Sequence, residues 1–198
     1  MNRERLHERL ESTSAPVDES LPQSAVLVLL DAGADDALIT LTRRADHLRL
    51  HAGEIAFPGG RCDPEDDGFW GTALREAEEE ISLPPAQVER LGHMPPLVTR
   101  TGIQVTPCVG LLKSPVSLTP NPEELSEVFD VPVSFFASAE ELHFDRLDYA
   151  GHERMVPRYE WGEYSIWGIT AAILVRLANL ACDANLDMED YWRGHHAR

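Results

Sequence analysis

The chain has 198 residues, 43% of them hydrophobic, which is enough for one domain with a substantial core. Its formal net charge of -17 argues against a nucleic-acid partner, because phosphate contacts need clustered Lys and Arg, and it also disfavours an anionic membrane surface. Three cysteines without CxxC spacing, and an N-terminus without the apolar core of a signal peptide, predict a cytoplasmic protein.

The first 24 residues differ in composition from the rest of the chain. They begin with Arg, Glu and His and continue into a stretch rich in Ser and Pro. We therefore expect a short helix, frayed from the domain, and a linker at residues 1–24, followed by one domain at residues 25–198.

The remaining pattern mixes strands with two long helices. We predict strands at residues 24–30, 37–42, 55–57, 88–94, 103–112 and 127–132, and helices at residues 72–82 and 168–182. The Pro58-Gly59-Gly60 sequence predicts a tight turn after the third strand. Together these elements favour an α/β (α+β) sandwich built on a mixed β-sheet.

The predicted helix at residues 72–82 carries a run of carboxylates. Glu76, Glu79 and Glu80 fall at i, i+3 and i+4 and share one face, where like charges repel each other by tenths of a kcal/mol per pair. A hard cation with oxygen ligands would compensate this repulsion. The alternative interpretation is a solvated acidic helix face, which is the commoner use of such a run.

The sequence REAEEEISL at residues 75–83 resembles the second half of the Nudix box, G-x5-E-x7-R-E-U-x-E-E-x-G-U, in which U is a bulky apolar residue. Three positions depart from it. Ala77 is small for U, Ser82 replaces the glycine, and the first Glu of the box falls on Asp66 or Asp67.

A second stretch, LTRRADHLRLHAGEIAFPGG at residues 41–60, resembles the signature of one branch, the coenzyme A pyrophosphatases. Residues 122–132 and 166–174 also resemble parts of these enzymes. The resemblance implies a Nudix-type α/β/α sandwich, with Mg²⁺ or Mn²⁺ held by Glu76, Glu79 and Glu80. It also implies that these glutamates and Arg75 are the catalytic residues.

The coenzyme A-like stretch holds most of the local positive charge. Arg43, Arg44 and Arg49 are candidates to bind the 3′-phosphate that distinguishes coenzyme A from ADP-ribose, although solvated surface charge is an alternative for each. His51, which either turns toward the diphosphate or caps the loop, and Gly59 and Gly60 complete the predicted substrate-binding set.

Other candidates lie further along the chain. Glu123, Glu124 and Glu127 are candidate general bases, and Trp161, Tyr164 and Trp167 are candidate stacking surfaces for adenine or, more commonly, packing residues.

The function indicated is metal-dependent cleavage of coenzyme A, or an acyl derivative, to 3′,5′-ADP and 4′-phosphopantetheine or its acyl derivative. Two alternatives stay open: hydrolysis of another nucleoside diphosphate derivative such as ADP-ribose or NADH, and a non-catalytic Nudix ligand-binding module. The expected partner is a small-molecule substrate, with neither nucleic acid nor membrane. Whether the protein forms a homodimer is left open by the sequence.

Overall fold

The computed structural model describes residues 2–13, 15–33, 36–149 and 152–188. The helices are α1 (Arg3–Ser12), α2 (Gly68–Ile81), α3 (Val133–Phe136) and α4 (Gly168–Cys182). The strands are β1 (Gln23–Asp31), β2 (Leu38–Arg44), β3 (Ile55–Ala56), β4 (Gly59–Arg61), β5 (Val88–His93), β6 (Leu97–Val98), β7 (Gln104–Leu112), β8 (Leu125–Pro132), β9 (His143–Tyr149), β10 (His152–Trp161) and β11 (Tyr164–Trp167). No helix within the described ranges is long and apolar enough to cross a membrane.

Eight strands form the main sheet, which is mixed. Its central path runs β3-β2-β1-β7-β5, and β4, β6 and β8 pair with β1, β7 and β2. Strands β1 and β7 are parallel, with Leu27 opposite Cys108, whereas the other pairs are antiparallel. The first two strands in the sequence therefore meet only at their ends, and β1 has β7 as its main partner.

Alternate residues of β1 face opposite sides of this sheet, as the two-residue period of a strand requires. Leu27 and Leu29 pack with Ala73, Ala77 and other apolar residues of α2. Val28 and Leu30 belong to the core cluster that contains α4. One helix thus covers each face, and the predicted α/β/α sandwich with a mixed sheet is confirmed.

A second, three-stranded antiparallel sheet, in the order β11-β10-β9, was not expected from the sequence. Its strands carry charged residues in place of a clear apolar alternation, so the two-residue period is weak there. The tight turn predicted at residues 58–60 is wrong in detail. Strand β4 begins at Gly59 and pairs with β1, and only Pro58 lies at the bend.

Helix α1 packs on the domain and is not frayed. Leu6 and Leu10 are almost fully buried in the larger core cluster. The Arg9 guanidinium donates to the carbonyl oxygen of Leu180 at 2.6 Å and pairs with Asp183, just beyond α4. The predicted domain limits at residues 25 and 198 stay a prediction, and residues 189–198 lie outside the described part of the chain.

Candidate metal and catalytic site

Two glutamates of α2 lie against the Gly59-Gly60 dipeptide at the start of β4. The Glu80 side chain is buried, and its Oε2 accepts a hydrogen bond of 3.0 Å from the backbone N–H of Gly59. Glu76 lies over the next residue, since a Cβ on Gly60 would fall 2.4 Å from Glu76 Oε1. The spacing of four residues along α2 therefore places one carboxylate at each glycine.

Both glycines lie in close contact with neighbouring groups, Gly59 with the backbone of β1 and Gly60 with the Glu76 side chain. A Cβ on Gly59 would lie 2.4 Å from the carbonyl oxygen of Ala25 in β1, well inside van der Waals contact. A Cβ on Gly60 would displace the Glu76 carboxylate. The Gly-Gly sequence thus lets β4 pair tightly with β1 and leaves space above it for carboxylate groups.

Burial makes these carboxylates unfavourable as anions. Burial, together with the nearby charges of Glu76 and Glu124, raises the pKa of Glu80 to about 7, against the opposing effects of the hydrogen bond from Gly59 and the charge of Arg44. Burial also raises the pKa of Glu76, although its hydrogen bond from Arg75 opposes the shift. A positive ligand would relieve the cost of ionising both groups.

Arg75 is held by an ion pair with Asp66, one of the two residues on which the first Glu of the Nudix box could fall. Its Nε lies 2.9 Å from Oδ1 of Asp66, and its Nη2 lies 3.1 Å from Oδ2. This contact, together with bonds from the Asp63 amide and the Thr72 hydroxyl, holds the pKa of Asp66 well below its usual range. Asp66 therefore fixes the position of the Arg75 guanidinium. The side chain of Asp67, by contrast, makes no capping hydrogen bond to α2.

The third predicted ligand, Glu79, is exposed to solvent. Its side chain is 59% exposed, and its Oε2 forms a long i,i+4 ion pair with Arg75 Nη1 at 3.4 Å. Arg75 Nη1 lies closer to Glu76, at 2.9 Å. Across the described residues, no three His, Cys, Asp or Glu side chains converge tightly enough to enclose a metal ion.

One of the three candidate bases is near α2. The loop before β8 is joined to α2 by a backbone hydrogen bond, in which the Asn121 N–H donates to the backbone carbonyl oxygen of Glu80 at 2.7 Å. Glu124 follows on this loop, and its charge raises the pKa of both Glu76 and Glu80. Glu127, by contrast, interacts with Tyr164 of β11 and raises the pKa of its phenol.

The basic residues lie on what we call the arginine segment, residues 43–54. Arg43 donates to Asp46 at 2.7 Å and to Ser126 at 3.2 Å. Arg44 is half-buried, and among the described residues its buried Nε has no hydrogen-bond partner. Arg49 is exposed, and His51 Nδ1 lies 2.8 Å from Glu54 Oε2.

The predicted site residues are therefore only partly gathered. The residues that the structure brings together at the start of β4 are Glu76, Glu80, Arg75, Gly59 and Gly60, with Arg44 close enough to lower the pKa of Glu80. Glu79, Arg49 and His51 face solvent, and Arg43 is bonded to Asp46 and Ser126. The hydrogen bond from the Gly59 N–H to Glu80 had no signal in the sequence beyond the glycine pair itself.

Comparison with known proteins identifies the family of this chain. The chain matches the NUDIX domain over residues 21–159. It is 44% identical over 140 residues to the uncharacterized Nudix hydrolase NudL of Photorhabdus laumondii, covering 71% of this chain and 75% of that protein. The same-named protein of Yersinia enterocolitica is 41% identical over 155 residues, covering 78% and 79%.

Among solved structures, a C. elegans Ap4A hydrolase superposes with a TM-score of 0.49 and 21% identity, covering 56% of this chain and 80% of that one. The family assignment follows from the sequence matches, which span most of the domain described above. The chain belongs to the Nudix hydrolase family.

Proposed function

We propose that the protein is a metal-dependent diphosphatase of coenzyme A or its acyl derivatives. The products would be 3′,5′-ADP and 4′-phosphopantetheine or its acyl derivative. The observation that carries the proposal is the hydrogen bond from Gly59 to Glu80, because it joins the acidic helix to the last residues of the coenzyme A-like stretch. Metal ligands and substrate-binding cations would then meet at one place.

The oxygen donors present suit Mg²⁺ or Mn²⁺, both hard cations that prefer carboxylates. Glu76 and Glu80 would hold the ion, with Glu79 reaching it by a change of side-chain rotamer. When bound, the ion neutralises the diphosphate and acidifies the attacking water. The pKa values of Glu76 and Glu80, raised by burial, support this assignment because the pair needs a counter-charge to ionise together.

The protein groups around the ion divide the remaining tasks. Arg75, held by Asp66, fixes the Glu76 carboxylate through the contact at 2.9 Å. Glu124 is exposed and close to the carboxylates of Glu76 and Glu80. It therefore suits the role of the general base that accepts the proton of the attacking water. Because its backbone carbonyl accepts from the Ala45 amide at 2.9 Å, the loop that carries it is anchored beside Arg44.

Three arginines would then bind the anionic parts of the substrate. Arg44 suits the diphosphate, since its charge reaches Glu80 and its Nε is unpaired within the described residues. Arg43 and the exposed Arg49 suit the 3′-phosphate. His51, with the backbone at Gly59 and Gly60, would complete the substrate contacts.

The three cysteines are free thiols, in keeping with a cytoplasmic location.

The products formed in ¹⁸O-labelled water test this function directly. Coenzyme A, an acyl derivative, ADP-ribose and NADH are incubated with Mg²⁺ or Mn²⁺, and products are identified by mass spectrometry. We expect coenzyme A to give 3′,5′-ADP and 4′-phosphopantetheine, one of them labelled, since the ion activates only the diphosphate. Release of inorganic phosphate with an intact diphosphate, or faster hydrolysis of ADP-ribose or NADH, would contradict the proposal.

A further inference from the structure

The loop at residues 119–124, which precedes β8, is bonded to the last turn of α2. The Thr119 N–H donates to the Ile81 carbonyl oxygen at 3.0 Å, and the Asn121 N–H donates to that of Glu80 at 2.7 Å. The final carbonyl groups of a helix have no partner within the helix, so these two bonds satisfy two of them. The start of the loop therefore has a fixed position relative to the helix that carries the proposed metal ligands.

The Asn121 side chain folds the next residues of this loop into a turn. Its Oδ1 accepts a hydrogen bond of 3.1 Å from the Glu123 N–H. Its backbone carbonyl oxygen accepts from the N–H groups of Glu124 at 3.0 Å and of Leu125 at 2.8 Å. Asn commonly forms such turns, because its side chain has the right length to bond to the backbone two residues further on. Asn121 thus bonds to the end of α2 through its N–H and to three consecutive residues through its two oxygens.

The backbone of Glu124 is held on its other side as well. Its carbonyl oxygen accepts from the Ala45 N–H at 2.9 Å, and the next residue, Leu125, is buried. The Glu124 side chain remains exposed, and it is close enough to α2 for its charge to raise the pKa of Glu76 and of Glu80. The turn therefore presents an exposed carboxylate from a fixed backbone, next to the acidic face of the helix.

We propose that Asn121 is a positioning residue for hydrolysis, which holds Glu124 at a fixed place beside the carboxylates of α2. The proposal rests on the proposed function, in which Glu124 is the general base, and adds the residue that sets its position. A general base must lie within hydrogen-bond reach of the proton that it accepts, and a misplacement of about 1 Å costs on the order of a hundredfold in rate. Asn121 acts through the turn and not through contact with the substrate.

A double-mutant cycle on the kcat for coenzyme A hydrolysis tests this role. Asn121→Ala removes only the side-chain acceptor, and it should lower kcat by about tenfold to a hundredfold at saturating Mn²⁺ with KM unchanged. Glu124→Gln removes the base and should lower kcat by about a hundredfold or more. Because the turn acts only through Glu124, adding Asn121→Ala to Glu124→Gln should cause no further loss, whereas two independent effects would multiply.

Two conservative variants keep the turn and should keep most of the activity. Asn121→Asp retains Oδ1, and Asn121→Ser forms the equivalent turn without a new charge near Glu80. Asn179→Ala is the matched control. The Asn179 side chain on α4 accepts from the Leu186 N–H at 2.8 Å, which is the same type of bond on the opposite face of the sheet. This control should leave kcat unchanged, so it separates a loss of position from a general loss of stability.

Two measurements without turnover accompany the kinetics. Amide hydrogen exchange at Glu123 should become faster in Asn121→Ala, because that N–H loses its acceptor. The Mn²⁺ affinity, measured by electron paramagnetic resonance, should be equal in the wild type and in Asn121→Ala, since the bond from the Asn121 N–H to the Glu80 carbonyl oxygen does not involve the side chain.

Wild-type kcat in Asn121→Ala would overturn the proposal, as would a further loss of kcat in the double variant or low activity in both Asn121→Asp and Asn121→Ser. Wild-type kcat in Glu124→Gln would overturn it too, because no base would then need a position.

The result is separable from the proposed function. If coenzyme A is not hydrolysed but ADP-ribose or NADH is, the same cycle on that substrate decides the role of Asn121. If coenzyme A is cleaved at its diphosphate and the effects of the two substitutions multiply, the proposed reaction stands and Asn121 has no positioning role.

Discussion

Helix α2 and the arginine segment carry opposite charges, and they hold them in different ways. The Glu80 carboxylate is buried and bonded to the Gly59 backbone, and Glu76 lies in the space above Gly60. In the arginine segment, Arg43 pairs with Asp46 three residues away, and Arg49 is exposed. The acidic site is thus built into the core, whereas two of the three arginines, Arg43 and Arg44, are half-buried at the end of β2 and the third, Arg49, is exposed.

This difference predicts that changes in α2 alter the rate of hydrolysis and that changes in the arginine segment alter the choice of substrate. Buried, anchored groups are pre-organised, so their loss removes a fixed part of the reaction centre. Exposed cations contribute one contact each, and the loss of one affects the substrates that use that contact.

Replacing Glu80 by Gln should have the largest effect, a loss of several orders of magnitude in kcat. Gln keeps the shape and can still accept from the Gly59 amide, but it lacks the anion that a hard cation needs. The measurement is steady-state hydrolysis at saturating Mg²⁺ and Mn²⁺.

Glu78→Gln is the matched control for this change, because Glu78 is an exposed glutamate on the same helix and should tolerate the substitution. Near-normal activity in the Glu80 variant would contradict the assignment of Glu80 as a metal ligand. An equal loss of activity in both variants would show that the effect is not specific to the buried face of α2.

Changes in the arginine segment should have a smaller effect, on specificity. Replacing Arg43, Arg44 and Arg49 singly by Met should lower the preference for coenzyme A over dephospho-coenzyme A by about tenfold to a hundredfold for at least one position, the cost of a charge-assisted contact. The measured quantity is the ratio of the two kcat/KM values, which a general loss of folding leaves unchanged. If all three variants keep the wild-type ratio, the 3′-phosphate is not bound by this segment.

The stability of the metal-free protein should fall as pH rises through the range set by Glu80. Its pKa is raised from 4.5 to about 7 in the folded protein, so between these values the folded state keeps a proton that the unfolded state has lost. Folded-state stability is therefore lost as pH rises toward 7, by up to about 3 kcal/mol.

Glu80→Gln has no such proton to lose, so in the presence of EDTA it should be more stable than the wild type at pH 8 and similar to it near pH 4.5. Urea unfolding at a series of pH values measures this difference. If the free energy of unfolding changes with pH equally in the wild type and the variant from pH 5 to pH 8, ionisation of Glu80 does not destabilise the folded state.

Breaking the Arg75–Asp66 pair should have the smallest effect. Asp66→Asn keeps the shape of the side chain but removes the charge that Arg75 contacts at 2.9 Å, and it should lower the free energy of unfolding by about 1.5 kcal/mol. Asp67→Asn is the control, since the Asp67 side chain makes no capping bond. Urea unfolding with equal losses in the two variants would contradict a specific role for Asp66.

What the sequence could predict was set by local periodicity. The spacing of Glu76, Glu79 and Glu80 predicted one helix face, and the family resemblance implied a sheet with a helix on each side. Distance along the chain limited the rest. The Gly59–Glu80 bond joins residues 21 positions apart, and rotamer choice turned Glu79 to solvent despite its correct spacing.

The small sheet was missed for a related reason. Charged positions such as Asp145 and Arg158 interrupt the alternation of apolar residues, and they are stabilised across the strands by an ion pair with Nε and Oδ2 2.9 Å apart. Such a pairing depends on register, which a single sequence does not specify.

The most direct test of the central claim is a Mn²⁺ titration followed by electron paramagnetic resonance, because it reports metal bound to α2 without requiring a substrate. We predict that the wild type and Glu78→Gln bind Mn²⁺ with the same affinity and that Glu80→Gln binds it at least about tenfold more weakly, since a hard cation needs the lost anion. Equal Mn²⁺ affinity in all three proteins would contradict the assignment of the metal site to the buried carboxylates at Gly59 and Gly60.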